Sequence, residues 1–168
     1  HCLVNLWKRA IRITGQKTPC QITGRTRAPT LAIIFPVHSP AYRQDMKIQT
    51  RQIAGLLKQP PAHMRAFLFH GSDIGLIHER ALALASLYNE NLDDVFSVTR
   101  LDSGAIENDV SVIADALSSI AVFADTRVVI VRGRGTELVE ACKLALTPRE
   151  GATPLDGAVL IVEARETT

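Results

Sequence analysis

This chain is short of aromatic side chains, of cysteine and, over its first 45 residues, of acids. Aromatics make up 5% of the 168 residues and hydrophobic residues 46%, so a core has to be filled by Leu, Ile, Val and Ala. Three cysteines, Cys2, Cys20 and Cys142, give neither the even-numbered framework of a disulfide-stapled domain nor the paired spacing of a zinc site. A reduced, cytoplasmic setting is the expectation. No apolar run reaches the ~18 residues that a membrane helix needs, so no membrane partner is expected.

The net charge of +2 hides an asymmetry. Lys8, Arg9, Arg12, Lys17, Arg25, Arg27 and Arg43 face the single acid Asp45 in residues 1–45, and the rest of the chain is net acidic. Pro19, Pro29, Pro36 and Pro40 interrupt that basic stretch, and no regular element longer than residues 3–13 is proposed in it. Three readings are open: a targeting peptide, a basic nucleic-acid-binding arm, or sequence upstream of a start at Met46. We adopt the third, so residues 1–45 are expected to be an irregular extension and residues 46–168 the folded domain.

From Met46 the pattern is regular. Ile48, Ile53, Leu56 and Leu57 suit a short helix stopped by Pro60-Pro61. Residues 66–70 (Ala-Phe-Leu-Phe-His) read as a strand buried on both faces. Ser72 or Asp73 can cap the next helix, whose Ile77, Ala81, Leu84 and Tyr88 fall on one face. Residues 95–99 read as a half-polar strand, and Val110, Ile113, Ala114, Leu117 and Ile120 as a helical stripe. A central strand is expected at 127–131, a helix capped by Thr136 that carries Leu138, Cys142 and Ala145, and a last strand at 157–163. Strands alternating with helices, each strand nearly continuous in apolar residues, predict a parallel α/β sheet with right-handed crossovers.

The strand–turn–helix at 66–80 is where a P-loop protein holds phosphate. That cradle needs G-x-x-x-x-G-K-[ST], whose backbone N–H groups, Lys and hydroxyl bind phosphates and Mg²⁺. Here Gly71 and Gly75 are four apart, and Leu76-Ile77 occupy the place of Lys-Ser/Thr. Phosphate binding through the turn's N–H groups and a plain structural turn are the two readings; the missing Lys and the carboxylate of Asp73 favour the structural one. No cofactor, metal or catalytic residue is expected. His70 and His78 flank the turn without a third ligand at metal spacing. Cys142, on an apolar stripe, reads as a small buried hydrophobe. Arg132-Gly133-Arg134 follows a strand end, where α/β folds place functional loops, and a solvated basic loop is the alternative. Val122 and Phe123 lie in the connector between the helical stripe and the central strand. They either fold back on the core or form an exposed apolar knob for a partner's pocket.

Four features together give residues 46–168 a resemblance. A short helix precedes a Leu/Phe-rich strand. That strand leads into Gly71-Ser72-Asp73 with no P-loop. The stripe 110–120 leads through a small-apolar-Phe connector into Arg127-Val-Val-Ile-Val-Arg, and the strand Ala158-Val-Leu-Ile-Val-Glu closes the run. In this order and spacing they resemble the N-terminal domain of the delta subunit of bacterial DNA polymerase III, part of the sliding-clamp loader. The resemblance implies a parallel-sheet, P-loop-NTPase-like (AAA+-like) domain without a functional P-loop. It implies a non-catalytic part of a DNA-directed DNA polymerase holoenzyme that binds and opens the sliding clamp (beta subunit) during DNA replication and meets DNA only indirectly. The clamp-binding plug falls on Ala121, Val122 and Phe123. Val122 stands for the usual Leu, and Ser118 stands where such segments often carry Gln; both bear on affinity rather than on the type of contact. The family's lid and collar domains, which join the other clamp-loader subunits, have no counterpart in residues 1–168.

Other classes remain as rivals. A nucleotide-dependent α/β enzyme requires a phosphate site, which the turn fails on residue type. A receiver-like regulatory module requires an acidic pair and an Asp ending a later strand, where this chain has Arg132. A nucleic-acid-binding protein acting through residues 1–45 is the third.

Overall fold

The structure, a computed structural model, describes residues 30–34, 46–48, 50–61, 64–119, 126–147 and 155–165, with the backbone alone for 30–34, 46–48 and 50–51. In chain order the elements are β1 (Thr30–Ile34), β2 (Met46–Ile48), α1 (Thr50–Lys58), β3 (Ala66–Gly71), α2 (Ile74–Ala85) and β4 (Val98–Leu101). There follow α3 (Ser103–Asn108), α4 (Val112–Ser118), β5 (Arg127–Gly133), α5 (Gly135–Leu146) and β6 (Ala158–Arg165). The strands form one sheet in the order β2-β1-β3-β6-β5-β4. β3, β6, β5 and β4 are mutually parallel, and β1 pairs antiparallel with both β3 and β2.

The α/β class and the parallel core are therefore as the apolar strand runs predict. Ala66, Phe67, Leu68 and Phe69 of β3 are all buried, as are residues 158–164 of β6. Strands covered on both faces need two helical layers. Alternation assigns the side chains. Ala66, Leu68, Val129, Val131, Leu160 and Val162 face a cluster with Ile106, Ile113, Leu117, Leu138 and Cys142 from α3, α4 and α5. Phe67, Phe69, Val128, Ile130, Val159 and Ile161 face Ile53 and Leu56 of α1 and Ile77, Ala81 and Leu84 of α2. The crossover from β3 to β4 thus runs over one face, and the return through β5 to β6 runs over the other. Reversing direction along a sheet while keeping one hand of crossover requires that change of face.

Several local expectations shift. Ile48 ends β2 rather than starting a helix. β4 starts at Val98, and Val95 and Phe96 lie in the preceding turn, 77% and 56% exposed. The stripe 110–120 is broken: α3 precedes it, Val110 sits in a turn and α4 begins only at Val112. Two acids at helix starts explain this, because Asp102 caps α3 by accepting the Ala105 N–H, and Asp109 accepts the Ser111 N–H in the turn between the helices. Thr136 lies inside α5, whose N-cap is Arg134 without a side-chain bond. Tyr88 falls beyond the end of α2, its ring centroid 6.2 Å from that of Phe67.

The largest difference is β1. It falls within residues 1–45, where no strand is predicted from sequence, and it lies between β2 and β3 in the sheet. Of its five residues Thr-Leu-Ala-Ile-Ile, four are apolar and three β-branched, but Pro29 and Pro36 close in on both sides and hide the signal. Deleting residues 1–45 should remove the partner of both β2 and the free side of β3. Thermal unfolding of 46–168 should then show a midpoint at least ~4 °C below that of the full chain, equivalent to roughly 1 kcal/mol. Equal midpoints would show that β1 adds nothing to the fold.

Candidate functional site

In an open parallel sheet, ligands bind beyond the carboxyl ends of the strands where adjacent connections diverge to opposite faces. Here β3 departs over the α2 face and β5 over the α5 face, so that point lies at the carboxyl end of β6 between them. The strand ends there carry His70 and Gly71, Arg132 and Gly133, and Glu163, Ala164 and Arg165. The first turns of α2 stand above them.

The turn from β3 to α2 is built by Asp73. It is the N-cap of α2, with extended backbone (φ −93°, ψ 98°), and its Oδ1 accepts the Leu76 N–H at 3.0 Å. The Ile77 N–H bonds the Asp73 carbonyl. The amino end of α2, where a phosphate would sit, already holds a carboxylate from the chain itself. Gly75 is the second residue of α2, and a methyl group added to it would meet Asp73 Oδ1 at 3.5 Å, an ordinary contact. No close approach to this turn demands glycine there.

Deeper in the same corner lies a charged cluster. Glu163 follows Val159 and Ile161 on the α2 face of β6, and its side chain is only 3% exposed. Register places it beside Phe69 of β3 and Arg132 of β5. Arg132 Nε donates to Glu163 Oε2 at 3.1 Å. Nδ1 of His78, one turn into α2, lies 3.0 and 3.2 Å from the two Glu163 oxygens. Arg132 Nη2 is 2.7 Å from His78 Nδ1 and 3.4 Å from Nε2. One imidazole nitrogen cannot both donate to a carboxylate and accept from a guanidinium. The two Nη2 distances place that nitrogen well off the Nδ1 lone-pair direction. The arrangement that satisfies all three groups has Nδ1–H and Arg132 Nε donating to Glu163, which leaves His78 Nε2 turned away from the carboxylate. His78 and Arg132 keep 42% and 57% exposure of their side chains, so both reach solvent from a buried anion.

The residues singled out from sequence divide clearly. His78 and Arg132 come together; the sequence placed one beside the glycine turn and the other after a strand end. Their common partner Glu163 was missed. The available signal was a charged residue in phase with Val159 and Ile161 at the end of an otherwise apolar strand. His70 alternates to the opposite face and does not join them. Arg134 is exposed at the start of α5, and Gly133 lies close to Leu138 Cδ1 and Ile106 Cδ1, where a methyl group would stand 3.3 and 3.5 Å from them. Cys142 is fully buried and burial pushes its thiol far up from the ordinary value, which removes it as a nucleophile at neutral pH. Among the described residues no group of three His, Cys, Asp or Glu side chains could hold a metal, and no helix is long and apolar enough to cross a membrane.

Ala121, Val122 and Phe123 lie outside the described residues. Their flanks are described. α4 closes with Ser118 Oγ bonded to the Ala114 carbonyl, and β5 begins at Arg127, at the amino edge of the sheet and opposite the Glu163 corner. Arg127 binds the Phe96 carbonyl at 2.9 Å and Thr99 Oγ1 at 3.0 Å, so the exposed Val95-Phe96 turn is fastened to the start of β5. Compared with known proteins, the chain matches no family model, no curated protein and no solved structure.

The geometry of the β3–α2 turn makes a paired prediction. Gly75→Ala should raise stability by up to ~1 kcal/mol, the helix-propensity gain at an unhindered site. Asp73→Ala should lower it by about 1 kcal/mol through loss of the cap. Urea unfolding of both variants checks this, and a loss of stability in Gly75→Ala would mean that the turn needs its glycine.

Proposed function

We propose that this chain provides a delta-type subunit of a bacterial clamp loader, an AAA+-like domain that binds and helps to open the DNA sliding clamp without binding or hydrolysing ATP. The observation that carries the reading is the β3–α2 turn. It has the strand–turn–helix path of a nucleotide-binding scaffold, yet Asp73 fills the helix amino end and Leu76-Ile77 replace the Lys and hydroxyl. A protein with that scaffold and no phosphate cradle works by contact. The contact is assigned to Val122 and Phe123, with Ala121 before them, by the resemblance of their connector to the clamp-loader plug. Partners are the sliding clamp and the other loader subunits, DNA is met indirectly, and the setting is cytoplasmic.

Magnitudes support a plug aided by its surroundings. A Val and a Phe buried from water contribute roughly 1.5–3 kcal/mol each. Micromolar binding needs about 8 kcal/mol, so a neighbouring surface has to add to it. Val95 and Phe96, exposed at the amino edge of β4 and tied to the start of β5, offer apolar area at the edge where the connector enters. The strand order speaks against a receiver-like module. Numbered among the parallel strands alone, the order is first, fourth, third, second, whereas receiver and dinucleotide-binding sheets keep their first two strands adjacent.

Two measurements test the reading. Titration of ATP with Mg²⁺ into the protein should show no saturable binding below about 1 mM, a limit near −4 kcal/mol; micromolar affinity would sink it. Phe123→Ala should weaken binding to a bacterial sliding clamp by about 2 kcal/mol or more while leaving the melting temperature nearly unchanged. A strongly lowered melting temperature with unchanged clamp affinity would instead make Phe123 a core residue, whose truncation costs about 3–5 kcal/mol.

A further inference from the structure

Stability alone does not call for a charged group rather than an apolar one at the Glu163 corner. A buried carboxylate carries a desolvation penalty, and apolar replacements of buried ion pairs are often neutral or better. Val159 and Ile161 on the same face of β6 show that an apolar side chain suits this layer. The ion pair is also lopsided: its anion is 3% exposed, while its cationic partners stay half in water. Glu163 thus stands between two solvent-reaching donors, His78 and Arg132, at the crevice where a sheet of this kind receives the acidic groups of a ligand.

We propose that Glu163 is a resident counter-ion: its carboxylate fills, from inside the chain, an oxyanion site formed by Arg132 and His78, and holds α2 against β5 and β6 without any ligand. Both Glu163 oxygens are engaged, one by His78 alone and the other by His78 and Arg132 Nε together. That is the pattern by which a bound carboxylate or phosphate is gripped by a guanidinium and an imidazole. With Glu163 in place the chain itself fills the site, and the corner needs no added anion. In a scaffold that binds nucleotide the same corner has two states, with and without ligand. The inference concerns the chain's own residues and stands or falls independently of the clamp as partner.

Chemical rescue tests it. Glu163→Ala in the full chain removes the carboxylate and leaves the space and both donors. Its melting temperature should fall, and sodium formate or inorganic phosphate should raise it again by about 3–5 °C at ten times the dissociation constant. Sodium chloride at equal ionic strength should not. The wild type should show no such anion-specific rise, and Glu163→Ala with Arg132→Gln should lose it. Formate acting alone would mark a site shaped for a carboxylate; phosphate acting as well would mark a general oxyanion site. Both outcomes support the inference. If Glu163→Ala does not fold, refolding in formate or phosphate should recover folded protein, and refolding in chloride should not. A variant that folds yet shows no anion-specific rise, or one that no anion recovers, overturns the proposal.

Discussion

The sheet depends on the insertion of its last strand into its centre. β6 is the final described element in the chain, yet it separates β3 from β5, and neither of these pairs with the other. All of its residues from Ala158 to Ala164 are buried. Until it arrives, β4 and β5 can form a two-stranded parallel piece, and β1, β2 and β3 an antiparallel one, with no ladder between them. Both helical layers also rest on β6, through Leu160 and Val162 on one face and Val159 and Ile161 on the other. Contacts of such long sequence separation close late, because loop entropy must be met before they contribute.

What could be read in advance follows the range of the physics. Elements set by local chemistry were legible: the fully apolar runs of β3, β5 and β6, the Asp73 cap, and the Ile77–Ala81–Leu84 face. Elements set by competition between local signals were blurred. Asp102 and Asp109 split a stripe that periodicity alone joins into one helix, and Val95-Phe96, β-rich by composition, yielded to a turn. β1 was hidden because flanking prolines and a basic, irregular context outweighed four apolar residues. The Glu163 corner was illegible for a different reason. Its members are 31 and 85 positions apart, and only parallel register brings Arg132 level with Glu163, while only the packing of α2 brings in His78.

The two edges of the sheet divide the labour suggested by the proposed function. The carboxyl edge, where α/β proteins keep their chemistry, is closed by the chain itself through Asp73 and Glu163. The amino edge carries exposed apolar side chains at Val95 and Phe96 and receives the connector that holds Val122 and Phe123. The exposed apolar side chains of Val95 and Phe96 therefore lie at the end of the sheet opposite the Glu163 corner.

Glu163 also acts as a spelling check on β6. The strand Val-Leu-Ile-Val is apolar on both faces, so sliding it by one position relative to β3 and β5 would exchange its faces at little cost in apolar contact. The single carboxylate removes that freedom. A one-residue slip towards the amino end puts it where Val162 now stands, within the apolar cluster beneath α5. A two-residue slip moves it down the same face, to where Phe67 and Ile130 now flank Ile161. Either of these slips strands a charge in hydrocarbon, whereas the observed register brings it level with Arg132.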